Sequence, residues 1–82
     1  MKLWLLKPID EESVPWNPWY DKCFGFVIRT TTEEKARKIA DENHGDENRD
    51  TKNPWLNPEL SSCEPLTIMG SEGIVIKDFA SA

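Results

Sequence analysis

Side chains suited to catalysis are scarce in this sequence. There is one histidine, His44, and the two cysteines, Cys23 and Cys63, stand at no spacing that a zinc site or a redox pair would use. The four glycines at 25, 45, 70 and 73 form neither a GxGxxG turn nor a Walker loop, so no phosphate cradle is encoded. No apolar run reaches the roughly 18 residues of a membrane span, and the opening MKLWLLKPID has too short an apolar part for a signal peptide. These absences point away from an enzyme, a cofactor, a metal and a membrane, and towards a cytosolic chain whose cysteines stay reduced.

Basic residues are also in deficit, with 10 Lys and Arg against 15 Asp and Glu, a net charge of −5 at pH 7, and they are scattered. Neutralising phosphates needs the opposite balance, so direct nucleic-acid binding is not expected, whereas a cationic protein surface is a fitting partner. The acidic stretch DENHGDENRD (41–50) fails as a calcium loop. Asp41 and Asn43 match the EF-hand template, but Gly45 stands where an oxygen ligand is needed, Asp46 replaces the required glycine, and Lys52 takes the place of the bidentate glutamate.

Aromatic residues are plentiful, and they sit in unusual places. Four tryptophans occur in 82 residues, and the stretch PWNPWYDKCFGF (15–26) sets Trp16, Trp19 and Tyr20 among prolines, where neither helix nor ordinary strand can form. A second Asn-Pro-Trp tripeptide ends at Trp55. Two readings stay open. In one, the loop tryptophans close the end of a core that a chain of this length cannot close with ordinary side chains, since it buries only roughly 60% of its unfolded surface. In the other they form a recognition surface, with Asp21 and Lys22 giving polar orientation, because Trp and Tyr dominate protein hot spots and base-stacking platforms. The candidate binding set is therefore Trp16, Trp19, Tyr20, Asp21, Lys22 and Trp55.

Patterning along the chain predicts an α+β fold in a single domain, residues 1–82. KLWLLK (2–7) reads as a buried strand, followed by an extended loop over 9–22. CFGFVIRT (23–30) alternates Phe24, Phe26 and Ile28 against Gly25, Val27 and Arg29, the period of a half-buried strand. TTTEEKARKIADENHG predicts a helix with Thr31 and Glu34 as a capping box, Ala36, Ile39 and Ala40 facing the sheet, Glu33 paired with Arg37 and Glu34 with Lys38, and Gly45 as the stop. Residues 41–53 read as a polar surface loop. LTIM-GSEG-IVIKDF predicts a closing hairpin. The expected architecture is a small, mainly antiparallel sheet of three or four strands with one helix packed on it.

Taken in order, MKLWLL, PWYDKCFGFVIR, TEEKARKIA, PWLNPELSSCE and EGIVIKDFAS carry a further signal. Over nearly its full length the chain resembles a group of small proteins encoded by bacteriophages and prophages. The resemblance implies a phage or prophage origin and a bacterial host cytosol, and it carries over no functional residue. By analogy of size and charge, such proteins resemble the inhibitors phages direct at host defence, which occupy a surface of a defence protein, as anti-CRISPR proteins do, or sequester a nucleotide second messenger. The leading expectation is a non-enzymatic, protein-binding inhibitor of a host defence protein, as a monomer or small homo-oligomer. Nucleotide sequestration on the same tryptophans, with Lys22 near the phosphate, is the alternative. A phage accessory or assembly component is the third.

Overall fold

A computed structural model describes residues 1–18 and 20–77 of the chain. Three strands and one helix are arranged as the α+β pattern predicts: β1 (Lys2–Pro8), β2 (Phe26–Thr30), α1 (Glu33–Glu42) and β3 (Ser61–Pro65), with a 3₁₀ turn at Asp46–Asn48. The sheet has the order β2-β1-β3, and β1 is antiparallel to both neighbours. Its register sets Leu3 against Arg29 and Leu5 against Val27 on one side, and Leu6 against Cys63 on the other.

Alternation along β1 decides which face is buried. Trp4, Leu6 and Pro8 point into the core, joined by Ile28 and Thr30 of β2 and by Ser61 and Cys63 of β3. Helix α1 covers this face through Ala36 and Ala40, small enough to bring the helix close. Leu3, Lys7, Val27, Arg29 and Glu64 stand on the opposite face, exposed, with Leu5 and Ser62 half-buried among them.

The helix differs from expectation in its details. Its N-cap is Thr32, whose hydroxyl accepts from the Lys35 amide at 3.2 Å, one residue later than the predicted capping box, so Glu34 takes no part in the cap. Its C-cap is Asn43, not a glycine stop at Gly45. Ile39 is exposed, and its expected place on the buried face is taken by Arg37. Of the two predicted i, i+4 pairs, one is present, with Arg37 Nε 2.9 Å from Glu33 Oε2; among the described residues no ion pair joins Glu34 to Lys38. The rest of the guanidinium runs inward: Nη1 donates to Trp55 O and Ser61 Oγ, both at 3.0 Å, and Nη2 donates to Ser61 O at 3.1 Å. A planar fork with donors on two nitrogens can serve two carbonyls and a hydroxyl at once, which a lysine could not. Arg37 thus ties the helix to the loop before β3 and to the first residue of that strand.

Two predicted elements are corrected. The closing hairpin is absent from its described part, because residues 66–77 hold no strand, and Ile68, Met69, Ile74 and Val75 lie exposed. The third strand is Ser-Ser-Cys-Glu-Pro instead, a stretch with little β propensity that pairs because β1 has a free edge, and because Arg37 and the loop at Pro54 fix Ser61 in place. Residues 9–18, within the stretch 9–22 read as extended, form tight turns, with Ser13 N bonded to Asp10 O and Trp16 N to Ser13 O, both at 3.0 Å. Among the described residues no helix is long and apolar enough to cross a membrane.

Replacing Arg37 by Ala removes the donors to Ser61 O and Ser61 Oγ and leaves Trp55 O with only the longer bond from the Ser61 hydroxyl at 3.3 Å. The expected loss is about 3 kcal/mol of stability, a fall in Tm of roughly 12–24 °C for a chain of this size. Thermal unfolding followed by circular dichroism measures it, and Arg37→Lys should recover only part of the loss.

Candidate functional site

The aromatic set divides sharply. Trp16 and Trp55 are both 0% exposed, which corrects their assignment to a binding surface: neither ring has a free face for a base or a protein to stack on. Their reason for burial is mutual. Trp16 meets Trp55 edge to face at a centroid distance of 5.4 Å, and Phe26 meets Trp55 likewise at 5.0 Å, an arrangement favoured by the ring quadrupoles. Trp4 completes the core, with Nε1 donating to Thr30 O at 3.1 Å. Trp19 lies outside the described residues.

A buried indole also needs an acceptor, and the chain supplies one for each. Trp16 Nε1 donates to Cys23 O at 2.8 Å. Trp55 Nε1 donates at 2.7 Å to Oε2 of Glu47, a residue that is itself fully buried. Residues 41–53 were expected to be solvated, and Glu47 overturns that at its centre. The 3₁₀ turn at Asp46–Asn48 points its side chain inward, where Oε1 accepts from the amides of Cys23 and Gly45, both at 2.9 Å. Three N–H donors converge on one carboxyl group. No pattern of spacing announces it, since Glu47 stands in a run of acids and asparagines that all look equally polar.

This joint positions the remaining candidates. Asp46 N donates to Asp21 O at 2.8 Å, Lys22 N to Tyr20 O at 2.9 Å, and Cys23 N is held by Glu47. Gly45 is required here for lack of space, because a Cβ would collide with Asp21 O and come within 3.0 Å of Lys22 Cα. The turn 20–22 is therefore clamped from beneath. Above the clamp, Tyr20 is 70% exposed, Asp21 is exposed beside it, and Lys22 is half-buried. Of the six residues singled out in the sequence, the structure brings these three together at the surface and places two, Trp16 and Trp55, in their foundation.

Cys23 and Cys63 are free thiols, half-buried and buried respectively. Burial pushes the Cys23 thiol up, the neighbouring Glu47 adds to this, and a hydrogen bond from the Gly45 backbone partly offsets it. For Cys63, burial again raises the value, with Arg37 opposing. Both groups are held as thiols rather than nucleophilic thiolates. Among the described residues no three His, Cys, Asp or Glu side chains gather as a metal site.

A groove of about 480 Å³ lies where residues 75–77 approach Leu5, Phe24, Phe26 and Val27. Comparison with known protein families, with curated proteins and with solved structures finds no match to the chain.

Two outcomes follow from this geometry. Glu47→Ala removes the two acceptor oxygens that serve three N–H groups, the buried Trp55 indole and the part-buried amides of Cys23 and Gly45, and should cost about 3 kcal/mol; Glu47→Gln should also destabilise, because an amide offers one acceptor oxygen where two are used and directs an NH₂ at a donor. Urea unfolding reads both. Because the folded thiol pKa values are raised, the stability that depends on neutral thiols is complete below the unfolded value and is lost as pH climbs through the folded values. A disulfide-exchange reagent at pH 8 should label the folded protein far more slowly than the unfolded chain.

Proposed function

We propose that the chain is a non-catalytic binding protein that inhibits a host defence protein by occupying a cationic part of its surface, with the turn Tyr20, Asp21 and Lys22 as its point of contact. One observation carries this reading: an aromatic ring, 70% exposed, stands on a turn whose backbone is tied down by Asp46 N and Glu47. Bonds from Asp46 N to Asp21 O and from Lys22 N to Tyr20 O hold the turn in the folded chain, which favours a low entropic cost of association.

Tyrosine is a frequent hot-spot residue, with a large contact area and few rotatable bonds. Asp21 adds charge next to it, in a molecule of net charge −5, and this suits a basic partner surface by electrostatic steering. The resemblance to phage and prophage proteins makes a host protein the natural target. Nucleotide sequestration is the weaker reading, because two of the three tryptophans it would stack on, Trp16 and Trp55, have no accessible face.

The test is phage plating on bacteria that each carry one antiviral defence system, with and without the chain expressed. Plating should recover on a strain with the targeted system, and Tyr20→Ala and Asp21→Lys should abolish the recovery while leaving the melting curve unchanged. Recovery on no strain, or recovery equal for Tyr20→Ala, contradicts the proposal.

A further inference from the structure

Residues 67–77 follow β3, and among the described residues no backbone hydrogen bond joins them to another element. The last such tie is Leu66 N, which donates to Leu3 O at 2.9 Å, near the start of β1. At the far end Val75, Ile76 and Lys77 stand beside Leu5, Leu6 and Lys7 of the same strand, and beside residues 24–27. The segment therefore runs in the direction of β1. Because β2 is antiparallel to β1, the segment is also antiparallel to β2.

Strand β2 is the outermost strand on its side, and among the described residues no backbone group outside the sheet bonds to residues 26–30. An unpaired edge is a template for an added strand. Residues 74–76 are Ile-Val-Ile, β-branched throughout and suited to that place. They also lie close to it, and a short tether keeps a segment at an effective concentration on the order of millimolar.

The approach of 75–77 to 24–27 fits one antiparallel register. With Ile76 opposite Gly25, Ile74 falls opposite Val27 and Glu72 opposite Arg29. Val27 and Arg29 are exposed on the open face, so Ile74 would lengthen the row Leu5–Val27 and Glu72 would meet a base. Neither Arg29 nor Glu72 has an ion-pair partner among the described residues. Ile76, at 52% exposure, is already more covered than Ile74 and Val75, each at 79%.

Two glycines supply a hinge. Gly70 and Gly73 have φ of +143° and +152°, which side-chain-bearing residues rarely adopt, and nothing lies within 4 Å of where a Cβ would stand. Glycine at these points serves the backbone path and not a close neighbour.

We propose that residues 72–77 are a strap with two states: the observed one, in which they pair with no strand, and a closed one, in which they join the outer edge of the same chain's β2 in this register. Closing fills the groove beside Phe24 and Val27 and withdraws the edge from any other strand. The strap shares no residue with the Tyr20 turn, so its test leaves the defence reading as it stands.

Amide hydrogen exchange, resolved by residue, tests it. In the wild type, alternate amides within 72–77 should exchange roughly tenfold or more slowly than an exposed loop, to the same extent at low and high protein concentration. Gly73→Ala should increase that protection, since alanine is strained at a φ of +152° and at ease in a strand. Arg29→Glu and Glu72→Arg should each reduce it by roughly two- to fivefold, and the double variant should restore it. Melting curves confirm that these exposed substitutions leave the fold intact. Loop-like exchange throughout 72–77 in both the wild type and Gly73→Ala overturns the proposal, as do single reversals without effect. So does protection that grows with protein concentration, or that returns on mixing the two single variants, which would place the segment on another copy.

Discussion

The carboxyl group of Glu47 is the joint on which the aromatic half of the structure depends. It accepts from Cys23 N in one proline-rich loop and from the indole of Trp55 in the other, and from Gly45 N in the turn between them in the chain. Without it, Trp55 would carry a buried donor with no acceptor, and its edge contacts with Trp16 and Phe26 would lose their fixed geometry. A chain of 82 residues has too little apolar surface to lock two long loops by packing alone. A fully satisfied polar centre beneath large aromatic rings supplies the missing constraint.

Arg37 does the corresponding work at the other end of the core. It fixes the helix to Trp55 O and Ser61, so Trp55 is held by Glu47 at its ring and by Arg37 at its carbonyl. The two charged residues do not pair with each other. Each instead serves backbone and side-chain groups that would otherwise be buried unsatisfied, and their partners lie far apart in sequence. The outcome is a molecule with one well-sealed face and one open face. Its exposed turn at Tyr20 and Asp21 is held from beneath by Asp46 N and Glu47.

The secondary structure that follows from local patterning was legible in the sequence. The short apolar run KLWLLK placed β1, the alternation in CFGFVIRT placed β2, although the strand itself begins only at Phe26, and the polar first turn and small residues of EEKARKIA placed α1. Tertiary demand was not legible. Ser61–Pro65 became a strand against its propensity because a free edge of β1 and the reach of Arg37 held it there, while LTIM and IVIK, with far better propensity, did not. Among the candidate binding residues, Tyr20 and Asp21 are exposed and Lys22 is half-buried. Trp16 and Trp55 do not, because a tryptophan in a proline loop looks the same in sequence whether it faces solvent or a neighbouring ring. Glu47 and Arg37 could not be singled out, since a buried charge is recognised only by the partners that three-dimensional folding brings to it.

Amide and indole hydrogen exchange, resolved residue by residue by NMR, tests the central role of Glu47 most directly. In the wild type the N–H groups of Cys23 and Gly45 and the Trp55 indole should exchange only on opening of the whole fold, as slowly as the amides at the centre of β1. In Glu47→Gln the same three should become much faster while β1 stays protected. Rapid exchange at Cys23 and Gly45 in the wild type, at the rate of an exposed loop, would contradict the joint and with it the rigid turn that carries Tyr20.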